Sequence, residues 1–139
     1  MNRRTERGSV SLWLVLASFA MTLLVGLAVD LSGQVHAQQR AHDLAAQAAR
    51  TAGQEVRAAS AIAGRQPAVD TAAARVAARH YLTSAGVTGT VEIRGGDTIT
   101  VAVTDTYQPK FLGLIGITRL DVTGHASARL VRSLGGNEP

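Results

Sequence analysis

Four histidines are the side chains of this sequence best suited to bind a metal ion or transfer a proton: His36, His42, His80 and His125. His36 and His42 are six residues apart in a helical stretch, so they do not share a face, and we expect both to be exposed. We expect His80 to be half-buried on a second helix and His125 to face solvent from a strand. No histidine pair has metal-ligand spacing with a carboxylate partner, so we predict no metal site.

The carboxylates are spread over different predicted elements, and no two of them form an acid–base pair. No serine lies in a nucleophile elbow, Gly95-Gly96 lacks the helix N-terminus that a phosphate loop requires, and the chain has no cysteine. We therefore expect no catalytic residue and no cofactor. An enzyme would need carboxylates or histidines to converge in a pocket. The scattered carboxylates include Asp30, Asp43, Asp70, Glu92, Asp97, Asp105 and Asp121.

The longest apolar run, Ser9–Val29, contains no charged residue, and the rest of the chain must be organised around it. As a helix its 21 residues would span roughly 31 Å, close to the hydrocarbon thickness of a bilayer. We predict a transmembrane helix surrounded by membrane lipid. Because a carboxylate costs about 2.5–3.5 kcal/mol at the bilayer centre, Asp30 should mark the outer edge of the span.

The flanks of this run predict its orientation. Three arginines precede it within residues 1–8, whereas the first basic residue after it is Arg40. A basic excess on the short leading segment places residues 1–8 in the cytoplasm and everything after the span outside the cell membrane, as a single-pass protein. The alternative is a cleaved signal peptide, for which Val35-His36-Ala37 offers a cleavage spacing and Gln38 a mature start.

Helical signals continue past the membrane edge to about Ser60, because strong helix formers dominate and no proline interrupts them. Gly64–Pro67 breaks this helix, and a second helix follows over about Val69–Ser84. The first helix presents a small-sided apolar face that suits close contact with another helix or a sheet. That face includes Leu31, Val35, Ala45, Ala49, Ala52 and Val56. The second helix is expected to bury Val69, Ala72, Ala73, Val76, Ala77 and His80.

The pattern then changes to alternating apolar and polar residues, which predicts strands. Residues 88–94 and 98–104 form a hairpin across Gly95-Gly96-Asp97, and a third strand covers about Leu120–Val131. The fold class is α+β: a long N-terminal transmembrane helix that continues outside the membrane, one short helix and a small three-stranded antiparallel sheet. The domain would comprise residues 30–132, with a disordered tail after it. The faces predicted to be buried carry Val91, Ile93, Ile99, Val101, Val103, Val122, Gly124, Ala126, Ala128 and Leu130.

The segment Tyr107–Ile117 is the most apolar part of the predicted outer domain, and its glycines indicate a loop or short helical turn. It would either cap the thin core or form an exposed docking patch for a neighbouring subunit or the membrane surface. Nucleic acid is not an expected partner. The net charge is +4, but the arginines are scattered and only 4% of residues are aromatic.

Three stretches, in this order, resemble the TadE/TadG-like proteins of Flp (tight adherence) pilus assembly, and more generally the type IV pilins and pseudopilins. Glu6–Val10 resembles the start of these proteins, where a basic leader ends in glycine. Gly26–Asp30 resembles their glycine-to-aspartate exit from the membrane. Ala45–Gly53 resembles the alanine-rich segment that follows, although Gln47 stands where the family usually has aspartate.

The resemblance implies a pilin-like arrangement of the predicted elements, a processing site and a filament contact. Prepilin peptidase cuts pilins after the glycine, which here implies a bond between Gly8 and Ser9 and that peptidase as a partner. Pilins carry a glutamate five residues on, which helps subunit registry, but the fifth residue counted from Ser9 is Trp13. This departure favours an anchored assembly factor over a filament subunit.

We therefore expect a non-enzymatic, membrane-anchored component of a Flp/Tad-type pilus or related secretion apparatus. It would be a minor pseudopilin or an assembly factor, and it would act by helix–helix association with other pilus or pseudopilus subunits. The alternative is a cell-surface binding module that the helix merely anchors, unrelated to pili, with Tyr107–Ile117 as its binding loop. The small residues predicted to pack between helices are Ala17, Ala20, Gly26, Ala28, Ala45, Ala49 and Ala52.

Overall fold

The computed structural model of the chain describes residues 6–63 and 71–130. Its elements confirm the α+β class: a long apolar N-terminal helix, one short helix and a three-stranded antiparallel sheet. The leader before Glu6, the Gly64–Pro67 break with the start of the second helix, and the predicted tail lie outside the described residues. In chain order the elements are α1 (Glu6–Ala63), α2 (Thr71–Ser84), β1 (Thr88–Arg94), β2 (Thr98–Tyr107), a short 3₁₀ helix (Leu112–Ile115) and β3 (Leu120–Arg129).

The described residues form two compact units, and α1 contributes to both of them. We call them the anchor unit and the sheet unit. The anchor unit contains residues 6–35 and the segment Tyr107–Leu120. The sheet unit contains the rest of α1 with α2, β1, most of β2 and nearly all of β3. The polypeptide therefore leaves the anchor unit after Val35 and returns to it at Tyr107.

The first half of α1 exposes its large apolar side chains almost without interruption. Trp13 and Phe19 are two of many such side chains between Val10 and Val35. The Thr22 hydroxyl donates to the carbonyl oxygen of Ser18 at 3.0 Å, so this polar group has a partner inside the helix and needs no water. Among the described residues, α1 is the one helix long and apolar enough to cross a membrane, which suggests single-pass anchoring.

The sheet unit is built on the strand order β1-β2-β3, with β2 in the middle. β1 and β2 are antiparallel, and Val91 pairs with Val101 across them. The central strand buries Ile99, Val101 and Val103 completely. Burial of the predicted apolar faces is confirmed on all three strands, with Ile93, Ala126 and Ala128 only partly covered. The sheet packs into one core cluster with the alanines of α1, namely Ala41, Ala45, Ala48, Ala49 and Ala52.

The buried stripe predicted for α2 is wrong. The helix buries Ala74, Ala78 and Leu82, whereas Val76 and His80 are exposed. The alanines of this helix spread over about 240° of its circumference, so the apolar spacing did not identify the inner face. The position of Leu82, whose large side chain is 2% exposed, sets the phase instead.

Candidate functional site

The Asp30 carboxylate holds the loop that follows β2 against α1. Asp30 accepts hydrogen bonds from three successive backbone N–H groups, those of Lys110 at 2.7 Å, Phe111 at 2.8 Å and Leu112 at 2.6 Å. The Tyr107 hydroxyl donates a further hydrogen bond to the same carboxylate. These three N–H groups precede or begin the 3₁₀ helix and would otherwise lack partners, so one side chain from α1 caps a segment about 80 residues later in the chain.

The electrostatics of this cluster follow from burial and from the donors. Asp30, which directly follows Ser9–Val29, is only 1% exposed. Burial alone would raise the pKa of Asp30, but the three backbone N–H groups and the Tyr107 hydroxyl outweigh it, and the pKa lies below its usual value. Burial raises the pKa of Tyr107, and the negative charge of Asp30 raises it further. At neutral pH the pair is therefore a carboxylate anion and a neutral phenol that donates to it.

Two glycines make room for the aromatic side chains on either side of this cap. A Cβ atom added to Gly26 would lie 2.6 Å from Cδ1 of Phe111. A Cβ atom added to Gly33 would overlap the hydroxyl and ring of Tyr107. At about 100° per helical residue, Gly26, Asp30 and Gly33 lie within roughly 60° of one another, so they form one face of α1. We call this face the loop-binding face.

The outer part of the loop is exposed, so the interpretation that it caps the core is wrong. No residue of Tyr107–Ile117 belongs to the core cluster of the described residues. Leu114 is 83% exposed and Ile115 is 68% exposed, and Phe111 and Ile117 are also exposed. The prediction of a short helical turn is confirmed by the 3₁₀ helix Leu112–Ile115.

The residues predicted to pack between helices fall into three groups. Ala20 and Ala28 are exposed on α1 and Ala17 is half-buried. Gly26 is buried beneath the Phe111 ring of its own chain. The three alanines beyond the apolar run are at most 1% exposed, because the sheet unit covers them. Of the predicted packing residues, only those of the first group remain accessible at the surface of the described chain. The covered alanines are Ala45, Ala49 and Ala52.

The positions relevant to processing and filament registry lie at the start of α1. Gly8 and Ser9 are within the helix, and the Trp13 side chain is 69% exposed. The structure does not bring Trp13 together with any residue of the loop-binding face, because it lies more than three turns before Gly26 along the helix.

The four histidines were the first candidates for metal binding or proton transfer, and all four are exposed. His36, His42 and His125 are exposed as expected, whereas His80 is exposed and the prediction that it is half-buried is wrong. No three histidines, aspartates or glutamates of the described residues are grouped so as to hold a metal ion. An open cleft beside α2 and β1 is lined by Arg79, Leu82, Thr83 and residues 87–91, which include no carboxylate and no histidine.

Two polar contacts join distant elements of the sheet unit. Arg40 Nη2 lies 2.7 Å from Oδ2 of Asp105, and this guanidinium lowers the pKa of the Asp105 carboxyl. The Tyr81 hydroxyl donates to Oε1 of Gln47 at 2.5 Å, which joins α2 to α1. Gln47 stands where the TadE/TadG-like proteins were said to have aspartate in their alanine-rich segment. In this chain its amide oxygen serves as a hydrogen-bond acceptor.

Sequence reasoning missed the role of Asp30, which it treated as a boundary marker. The spacing of Gly26, Asp30 and Gly33 was the available signal, because two glycines and a carboxylate on one helix face indicate a closely approaching partner. The identity of that partner could not be predicted from the sequence. Backbone N–H groups are present at every non-proline residue, so nothing in the sequence singles out residues 110–112 as donors.

Comparison with known protein families gives a match to this same region of the chain. Residues 8–55 match the Tad family, described as Flp pilus-assembly TadE/G-like, so the resemblance inferred from the sequence is confirmed over that segment. The matched segment includes the apolar run, the loop-binding face and the buried alanines of α1. No curated protein and no solved structure gave a significant match.

Proposed function

We propose, from the TadE/G-like match over residues 8–55, that the protein is a membrane-anchored structural component of a Flp/Tad-type pilus or related secretion apparatus. The observation that carries this proposal is that the matched segment contains a helical stretch, Ser9–Val29, that exposes only apolar and small polar side chains. The family description refers to pilus assembly and not to a reaction, which favours a structural role over catalysis.

Within that role, an anchored assembly factor is a better fit than a filament subunit. Trp13 stands where a pilin has the glutamate that pairs with the N-terminus of a neighbouring subunit. The leader would then remain attached, with residues 1–8 in the cytoplasm and the sheet unit outside. A minor pseudopilin, processed by prepilin peptidase between Gly8 and Ser9, is the runner-up.

The proposed mechanism is association of α1 with the helix of another pilus subunit within the lipid. At about 100° per residue, Ala17, Ala20 and Ala28 lie within roughly 80° of one another, and Gly26 lies on the opposite side of the helix. The loop therefore occupies one face of α1, and the small-residue face remains available for close helix packing. This contact would be made with the chain's own loop already in place.

Photo-crosslinking in cells that express the pilus genes tests this mechanism. A photoreactive residue at Ala17 should give adducts with a pilus subunit, and the matched control at Phe19, at nearly the same depth but roughly 160° around the helix, should give few. Equal yields at the two positions, or no adduct with any pilus component, would contradict the association.

The N-terminus of the protein purified from native membranes separates the remaining alternatives. We expect an intact mass that starts at Met1, as for an anchored assembly factor. A start at Ser9 would replace the anchored assembly factor with the minor pseudopilin as the proposed role. A start at Gln38 would mean a secreted domain and would overturn membrane anchoring altogether.

A further inference from the structure

The loop held by Asp30 ends in an apolar tip, Phe111–Ile117, and we propose that this tip inserts into the lipid surface beside the outer end of the apolar helix. The proposal rests on the membrane anchoring of Ser9–Val29 that forms part of the proposed function. According to this proposal the tip contacts lipid. The competing explanations are that a second copy of the chain or another protein covers it.

Depth along α1 is the first argument. The Phe111 ring lies against Gly26, which is four residues before Asp30 and therefore about 6 Å further into the apolar run. Leu23, Leu24 and Val25 lie at the same level on the other sides of the helix, at about 100° per residue, and are exposed. If those side chains are in contact with lipid, the Phe111 ring is at lipid depth as well, because it covers the side of the same turn that they leave open.

Exposure is the second argument. Beyond Val35, five large apolar side chains of the described residues are exposed, and four of them belong to the tip. Single exposed apolar residues are ordinary, but a group of four at the end of a membrane segment is not. The four are Phe111, Leu114, Ile115 and Ile117, and the fifth is Val76 on α2.

Charge around the tip is the third argument. Lys110 and Arg119 flank the tip on either side and are both exposed. No acidic residue occurs between Tyr107 and Leu120. A short apolar stretch bounded by cations suits a surface of acyl chains beneath anionic headgroups, because long basic side chains can reach the headgroups while the apolar residues lie below them.

The Asp30 cap explains how such a loop can be held at this depth. Backbone N–H groups that enter an apolar environment without partners are costly. The three N–H groups at the start of the tip already have the Asp30 carboxylate as acceptor. The N–H groups of Leu114, Gly116 and Ile117 donate to carbonyl oxygens within the segment itself. The loop therefore satisfies these donors without water.

Single-cysteine probes test the insertion, since the chain has no cysteine of its own. The full chain would be reconstituted into vesicles of phosphatidylethanolamine and phosphatidylglycerol, with an environment-sensitive fluorophore on Ile115→Cys. The matched control is Val76→Cys, because the two side chains are 68% and 67% exposed. We expect lipid-attached nitroxides to quench the Ile115 probe at least about fivefold more than the Val76 probe, and aqueous iodide to show the reverse order.

Two results would overturn the assignment to lipid. Equal access of iodide to both probes would mean that the tip is in water. Protection of the Ile115 probe from iodide without quenching by lipid nitroxides would mean that a protein covers it, and chemical crosslinking would then distinguish a second copy from another partner.

A third probe at Leu16→Cys, in the middle of the apolar run, separates failure of this inference from failure of the proposed anchoring. Strong lipid quenching at Leu16 with none at Ile115 would reject only the insertion of the tip. Absence of lipid quenching at both positions would reject the membrane anchor on which the inference depends.

Discussion

The anchor unit and the sheet unit each contain a part of α1, but different interactions stabilise the inside of each unit. In the anchor unit a single carboxylate accepts three backbone N–H groups and a tyrosine hydroxyl. In the sheet unit five small alanines of α1 share a core with three completely buried aliphatic residues of β2. One contact is polar and directional, and the other is apolar and depends on shape.

Both contacts need a helix with little side-chain volume, and the comparison shows how the two kinds of force use that space. The alanines of α1 form a smooth surface on which a sheet can pack closely. Each Å² of apolar surface that is buried there contributes about 25 cal/mol of stabilising free energy. Gly26 and Gly33 leave room for two aromatic rings, and the carboxylate between them accepts from three particular backbone N–H groups. The polar contact therefore specifies which residues of the loop lie against α1, whereas the apolar contact stabilises the sheet unit by burial.

The largest effect is expected from Gly124→Val in the sheet unit. A Cβ atom at Gly124 would overlap the backbone of α1 at Ala41 and His42, and a helix backbone cannot move aside as a flexible side chain can. Overpacking of this kind costs about 3 kcal/mol, so strand amides should exchange about a hundredfold faster. Hydrogen exchange of the full chain in detergent micelles, read by mass spectrometry, measures this.

A helical glycine with no close neighbour provides the control for that substitution. Nothing lies within 4 Å of a Cβ atom added to Gly53, so Gly53→Ala should leave the strand amides protected. Unchanged protection in Gly124→Val as well would mean that β3 does not approach α1 as closely as described.

The next largest effect is expected from Asp30→Asn, which should release the loop and leave the sheet intact. The amide offers one acceptor oxygen in place of two, so it cannot serve Lys110 through one oxygen and Phe111 and Leu112 through the other. Exchange of these three amides should rise about tenfold or more, with strand amides unchanged. Asp43→Asn, at an exposed aspartate of the same helix, is the control. If strand amides are also released, the two units do not depend on separate contacts.

A smaller effect is expected from Gly33→Ala, because it disturbs the loop through Tyr107 alone. The added methyl group would overlap the Tyr107 side chain and weaken its hydrogen bond to Asp30. With Tyr81→Phe as background, Tyr107 is the one tyrosine left, and its phenol titration can be followed by absorbance. We expect its pKa, which is raised above 10.0 in the intact chain, to fall in Gly33→Ala. An unchanged titration would place Tyr107 away from Asp30.

The smallest effect is expected at the Arg40–Asp105 pair of the sheet unit. The arginine side chain is 67% exposed, so we expect Arg40→Gln to cost less than about 1 kcal/mol at neutral pH. The pKa of Asp105 is lowered from 3.8, so the contribution of the pair is present above that pH and is lost as pH falls through the lowered value. The difference in unfolding free energy between wild type and Arg40→Gln should therefore vanish in acid. A difference that persists there would assign the effect to packing of the arginine.

The sheet unit was largely predictable from sequence, since alternation in β1, β2 and β3 reports directly which face is buried. The apolar run of α1 was equally clear, because length and lack of charge suffice to recognise it. The buried face of α2 was not predictable, since its alanines cover most of the helix circumference and the burial of Leu82 is what distinguishes the inner face. The loop contact was not predictable either, because it joins a carboxylate to backbone groups that are about 80 residues away and carry no sequence signature.

The spacing of the Asp30 contact also orders events during biosynthesis. Asp30 leaves the ribosome early, whereas its donors follow 80 to 82 residues later, after the strands β1 and β2 have been made. A chain that emerges from its N-terminus therefore carries the Asp30 carboxylate without these backbone donors until residues 110–112 have been made. Chains that stop before Lys110 lack all three backbone donors and cannot form the cap, which distinguishes them from chains that extend through Leu112.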